Sequence, residues 1–131
     1  MRDFAGTSKA WNWLGVEMVT AAEGSVTLEM PTREEMANHA GVVHGGFISF
    51  LADSAMGRCL ATVYPEGERH FSFDLKLTFL NPGRVGERLR GLAKVLHSGR
   101  RTGVAECQVV GEDGRLVATA TASFIVYLPE E

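Results

Sequence analysis

Apolar and polar positions alternate over residues 16–20 and again over residues 25–30, with Ala22-Glu23-Gly24 between the two runs. A period of two on both sides of a glycine turn predicts a β-hairpin. Pro31 breaks the alternation, and "TREEM" then reads as one helical turn capped by Thr32. From residue 45 or 46 to about residue 64 the pattern changes. Phe47, Ile48, Phe50, Leu51, Ala52, Ala55, Met56, Cys59, Leu60 and Val63 cover more than one stripe of a helix. Such a helix is expected to be enclosed on several sides and to stop before Pro65 and Gly67.

Strand periodicity then returns. "HFSFDLKLTFLNP" sets Phe71, Phe73, Leu75, Leu77 and Phe79 against Ser72, Asp74, Lys76 and Thr78, and ends at Asn81-Pro82-Gly83. "GERLRGLAKVLHSG", "TGVAECQVVGEDG" and "RLVATATASFIVYLP" follow as three more strands, the last after a Glu112-Asp113-Gly114 turn. A hairpin, one long helix and four consecutive strands, joined by connections too short for parallel crossovers, predict an α+β fold. Its one antiparallel sheet should curl around a central helix. No linker or internal repeat divides the 131 residues, so 1–131 is expected to be a single domain.

Composition narrows the function. With 45% hydrophobic and 22% charged residues the chain is expected to be globular. A formal charge of -3 and the lack of a Lys/Arg run argue against a nucleic-acid partner. Cys59 and Cys107 lie far apart in apolar contexts and fit no metal-ligand spacing, so they are expected to be free core thiols in a reducing, cytoplasmic compartment. The opening stretch "MRDFAGTSKAWNWLG" shows no leader pattern. The apolar run 45–64 approaches the length of a membrane span, yet it holds Asp53 and Arg58, so a buried helix is expected and no membrane.

Asp53 is the one carboxylate inside that run. Its helical neighbours Ser49, Phe50, Met56 and Gly57 form a dry wall, and burying an unpaired carboxylate costs several kcal/mol. An acid kept there points to function, with pairing to Arg58 as the structural alternative. At the start of the same helix, Gly45 and Gly46 offer backbone N–H groups at the positive end of the dipole with no Cβ to hold a ligand away. Asn38, Gly41 and His44 lead into that point, although paired glycines also serve simply to let a tight loop join a helix. Gly45 and Asp53 are eight residues apart, which is about 12 Å at about 1.5 Å per residue. A donor and a base acting on one carbonyl must each lie within about 3.5 Å of it. One helix cannot serve both. Two copies running antiparallel about a two-fold axis can, which predicts two equivalent sites at a homodimer interface.

The ordered set Asn38, Gly41, His44-Gly45-Gly46 and Asp53 in "LADSA", followed by "SFDLKLTFLNPG" and "VLHSGRRTGVAECQV", resembles the hotdog-fold acyl-CoA thioesterases. Within the 4-hydroxybenzoyl-CoA thioesterase superfamily the likeness is to the PaaI-like branch, and it runs over residues 14–126. It implies the hotdog fold, a curved antiparallel β-sheet wrapped around one long α-helix. It also implies hydrolysis of an acyl-CoA with no metal or other cofactor, coenzyme A being part of the substrate.

The resemblance further implies roles. The Gly45 N–H polarises the thioester carbonyl, Asp53 activates water or attacks the carbonyl itself, and Asn38 and His44 order the carbonyl and the water. Ser72 helps hold the water or the acid, although an alternating strand also carries plain surface hydroxyls. Gly46 is expected to contact the substrate, and on the residues alone Phe47, Phe50 and Met56 are expected as walls of the acyl pocket. Arg100 and Arg101 in "HSGRRTG" would bind the phosphates of coenzyme A, solubilising charge being the alternative. Relatives often assemble as dimers of dimers, so a homotetramer is expected. Phenylacetyl-CoA and its hydroxylated forms lead as substrates. The other readings are a medium-chain fatty acyl-CoA thioesterase, a hotdog hydratase/dehydratase using His44 and Asp53, and a non-catalytic acyl-CoA-binding module.

Overall fold

In the computed structural model, residues 8–130 are described; residues 1–7, part of the stretch read as lacking a leader, lie outside them. A short helix that the periodicity does not announce comes first, α1 (Lys9–Leu14). Ser8 caps it by accepting the Trp11 N–H at 2.9 Å, and Gly15 closes it with φ 74°. Six residues are too few to show a 3.6-residue period. Trp11 and Leu14 are its buried face.

The hairpin forms as expected from β1 (Glu17–Ala22) and β2 (Ser25–Pro31). "TREEM" departs from expectation. A single 3-10 turn covers Glu34–Met36, and Thr32 does not cap it. Thr32 is buried, donates its hydroxyl to the Glu87 carbonyl at 2.6 Å and accepts the Gly86 N–H at 3.0 Å. The long helix α2 (Gly45–Ala61) begins where predicted and ends three residues early. Thr62 ends it, because its hydroxyl donates to the Cys59 carbonyl and accepts the Gly24 N–H, tying the helix to the β1–β2 turn.

Four strands complete the fold: β3 (Arg69–Phe79), β4 (Arg88–Ser98), β5 (Thr102–Val110) and β6 (Leu116–Tyr127). The sheet order is β1-β2-β4-β5-β6-β3, with every neighbouring pair antiparallel. The antiparallel sense was legible; the adjacency of consecutive strands does not hold for β3 and β4. Small residues let the helix approach the sheet closely. A Cβ on Gly91 would stand 3.3 Å from Ala55 and Leu51, and one on Gly103 would stand 2.7 Å from Leu60. Glycine in β4 and β5 therefore lets α2 settle on the centre of the sheet; the phenylalanine-rich β3 is at an edge.

Helix α2 touches β2, β4, β5, β6 and β3. Five strands about 4.8 Å apart span about 19 Å, wider than a helix of about 10 Å, so the sheet must curve to reach it. The contact buries Leu51, Ala52, Ala55, Met56, Cys59 and Leu60. Among the described residues no helix is long and apolar enough to cross a membrane.

The alternation of β3 is interrupted. Its register against β6 shifts between Ser72 and Asp74, making Phe73 the extra residue of a bulge. Phe71 pairs with exposed Ile125, whereas Ser72, Leu75, Leu77 and Phe79 pair with buried Phe124, Ala122, Ala120 and Ala118. The five apolar residues of β3 thus do not share one face, and Ser72 lies on the face toward the helix.

Candidate active site

A loop held at several points leads into α2. Asn38 donates its backbone N–H to the Val42 carbonyl at 2.8 Å and accepts the Gly41 N–H at 3.0 Å, while Gly41 turns the chain with φ 84°. The side-chain Oδ1 of Asn38 accepts from Ala40 at 2.9 Å and Val42 at 3.3 Å. With the oxygen claimed by two N–H groups, the NH2 is the end of this amide left to meet a ligand. Outside the loop, Val43 donates to the Gly83 carbonyl and His44 to that of Met36. The 83–87 segment is itself fixed by buried Glu87, whose carboxylate accepts the N–H groups of Arg84 and Glu112 and pairs with the Arg115 guanidinium.

At the helix start the two glycines part company. His44 is the N-cap, and its Nδ1 accepts the Gly46 N–H at 3.0 Å. Gly46 is therefore not a free donor, contrary to expectation, and His44 stands exposed as the cap that takes it. The Gly45 N–H meets no acceptor among the described residues. The ring of Phe79 covers Gly45 so closely that a Cβ there would lie 3.1 Å from Phe79 Cζ.

Asp53 is half-buried, and its Oδ1 is fully buried with no hydrogen-bond partner among the described residues. Arg58 does not pair with it; its guanidinium lies 4.5 Å from the centroid of the Trp11 ring. Of the expected acyl-contacting residues, Phe47 and Phe50 are half-buried at the margin of the core. Met56 is 0% exposed, turned into the core between helix and sheet, and lines no opening.

Two close approaches relate α2 to β3. Gly45 lies under Phe79, and a Cβ on Gly57 would lie 3.6 Å from His70 Nε2. The strand thus runs in the opposite sense along the helix. Moving from Gly57 to Asp53 is about one helical turn, near 6 Å, on the same face. Moving from His70 to Ser72 covers about 6.6 Å of strand in the same direction. By this count Ser72 falls near the level of Asp53 along α2, although Ser72 is exposed and no hydrogen bond joins the two among the described residues. The pair beside it escaped the sequence reading: Glu68, with a fully buried side chain, holds His70 Nδ1 at 2.8 Å. The signal was present, since Glu68, just before β3, and His70 and Ser72 within it recur at every second position.

Arg100 and Arg101 sit at the other end of α2 from Gly45. Tyr64, just past the helix, donates its hydroxyl to the Gly99 carbonyl at 2.6 Å. Arg101 accepts the Val126 N–H, and Val126 pairs with His70. A cavity of about 470 Å³ opens here between Tyr64, Gly99, Arg100 and Leu128. Within one chain the arginines therefore lie past the end of α2 far from the Gly45 amide, with Asp53 at the middle of the helix between them.

Comparison with known proteins bears on this geometry. The family described as "Thioesterase superfamily" matches residues 40–118. The acyl-coenzyme A thioesterase PaaI of Escherichia coli is 30% identical over 105 residues, 80% of this chain and 73% of PaaI. The human acyl-coenzyme A thioesterase 13 is 30% identical over 104 residues, 79% of this chain and 74% of that protein. The solved structure of E. coli PaaI superposes with a TM-score of 0.84 at 26% identity, covering 90% of this chain and 83% of that one. A thioesterase family protein from Silicibacter pomeroyi gives 0.87 at 30% identity, covering 93% and 91%. The hotdog arrangement, six antiparallel strands around one long helix, is common to this chain and PaaI.

Proposed function

The chain belongs to the thioesterase superfamily, and from that membership and this site we propose that it hydrolyses acyl-coenzyme A, with phenylacetyl-type and hydroxylated aryl-acyl groups as its substrates. The observation that carries the reading is the buried, unpartnered Oδ1 of Asp53. That oxygen has no hydrogen-bond partner among the described residues, which leaves it open to take the O–H of a water.

In the mechanism, the thioester lies between two copies of the chain. The Gly45 N–H of one copy, joined by the Asn38 NH2, polarises the carbonyl. Asp53 of the other drives the attack of water, with Ser72 holding that water. Oxygen adds to the carbonyl carbon, the resulting oxyanion is held by the amide donors, and the C–S bond breaks to give the free acid and the thiol of coenzyme A. Support for a second copy comes from β3, an edge strand with Phe71 58%, Phe73 64% and Phe79 52% exposed. Unpaired apolar edges of this kind are normally covered. The same contact brings the separated Gly45 and Asp53 to one bond. Arg100 and Arg101 of the Asp53-bearing copy then serve the phosphates of coenzyme A. Phe47, Phe50 and Phe79 near the helix start favour an aromatic acyl group. The buried thiols of Cys59 and Cys107 fit a cytoplasmic protein.

The test is thiol release over a panel of aryl-acyl and medium-chain acyl-CoAs, with Asp53→Asn alongside. Aryl-acyl thioesters should turn over fastest and the variant should lose turnover. Hydration of an enoyl-CoA without thiol release would instead make the protein a hydratase. Binding without turnover, indifferent to Asp53→Asn, would make it a carrier.

A further inference from the structure

We propose that His70, oriented by Glu68, is a positioning residue of this site: its Nε2 is the acceptor that sets the direction of the Ser72 hydroxyl beside Asp53. The inference rests on the thioesterase reading and names a part of the machinery that the family likeness does not supply.

The ring is held on three sides. Its Nδ1 lies 2.8 Å from Glu68 Oε1. A carboxylate only accepts, so Nδ1 carries the hydrogen, and the acceptor role belongs to the tautomer in which Nε2 keeps its lone pair. The ring meets Phe124 edge to face, with centroids 5.5 Å apart. Gly57 receives the Nε2 end without a side chain to cover it. Glu68 is fully buried and has a further partner besides His70, whereas the His70 side chain keeps 15% exposure, enough for a water to reach it. Ser72 follows two residues later on the same strand face, since His70 pairs with Val126 and Ser72 with Phe124.

Counting hydrogens shows why such an acceptor is needed. The attacking water must give one O–H to Asp53 and turn a lone pair toward the carbonyl carbon. Ser72 can hold the second O–H only as an acceptor, and its own hydrogen then needs somewhere else to go. Asp53 is the competing acceptor, and a serine donating there would occupy the base. His70 Nε2 accepts that hydrogen, directly or through one water, and no proton leaves His70 or Glu68 during turnover.

The test is steady-state kinetics on His70→Ala, His70→Gln, Gly57→Ala, Ser72→Ala and the His70→Ala/Ser72→Ala double variant. Gly57→Ala sets a methyl group at ordinary contact distance from Nε2 while leaving the Glu68 pair in place, and alanine favours the helix. It therefore carries the test even if His70→Ala fails to fold. Expected are kcat losses of about ten-fold in His70→Ala and Gly57→Ala with KM changed less than about two-fold. His70→Gln, whose amide oxygen can also accept, should recover most of the loss. In the double variant, removing His70 should cost nothing beyond Ser72→Ala, because the effect passes through that hydroxyl. Additive losses, or full kcat in Gly57→Ala, would overturn the proposal while leaving the thioesterase reading intact. That reading fails separately, through an active Asp53→Asn.

Discussion

Phe79 on β3 stands over Gly45 at the first position of α2, so close that any side chain at Gly45 would displace the ring. The far end of the ring thus packs against the Cα of the residue whose amide is proposed to meet the substrate. Gly45→Ala should keep or slightly raise the melting temperature, since alanine restrains the unfolded chain and the half-exposed ring can shift. Its kcat/KM should fall by about ten-fold or more as the displaced ring narrows access to the N–H. Phe79→Ala in the same background should return part of that activity. Steady-state kinetics and thermal melts on the two variants check both halves.

Asp53→Asn should separate stability from activity. Removing the charge relieves a buried oxygen that has no partner, so the melting temperature should rise. Turnover should fall by about a hundred-fold or more, the scale of a lost general base. Wild-type turnover in this variant would remove the acid from the mechanism.

If one copy supplies Asn38 and Gly45 and its partner supplies Asp53, two inactive variants can repair each other. A heterodimer of Asp53→Asn with Asn38→Ala holds one site with every group intact, so it should show about half the wild-type activity. Purification through two different tags isolates the mixed species. No recovery would place all the groups in one chain. Phe73→Lys on the exposed edge should give a monomer without activity, read by sedimentation.

Glu87 predicts an acid limit to stability. Burial would raise its pKa, but the N–H groups of Arg84 and Glu112 and the Arg115 guanidinium more than offset this and hold it below the ordinary 4.5. The unfolded chain therefore takes up the proton first as pH falls. The stabilisation is present above about 4.5 and is lost as pH drops through the folded-state value. Glu87→Gln should cost about 1 to 3 kcal/mol at neutral pH and flatten this part of the melting-temperature profile. Because the 83–87 segment holds Val43, its activity should fall as well.

The thiols should be silent in the native protein. Burial pushes Cys59 up to about 11 and Cys107 up to about 12, the latter raised further by nearby Cys59. At neutral pH almost no thiolate is present to attack a disulfide reagent. Two equivalents should react after denaturation and almost none before it. Fast reaction of the native protein would show that the helix–sheet core opens.

Much of this protein was legible in its residues. Alternation placed all six strands, the broad apolar run placed α2 from its first glycine, and short connections gave the antiparallel sense. Each of these patterns reports which side of a segment must leave water, a local property that needs no knowledge of the partner. The same reasoning singled out Asp53 and the Gly45 amide, because a charge in an apolar run and a bare helix start are anomalies visible along the chain. Tertiary structure decided the rest. Small residues such as Gly91 and Gly103 let the helix settle closely on β4 and β5, and the pairing of β3 with β6 placed it at the edge. The bulge at Phe73 reversed the phase of β3, and Met56 turned into the core. The approach of β3 to α2 set His70 against Gly57. These outcomes depend on how closely surfaces distant in sequence can approach, an energy of contact that no periodicity within one segment contains.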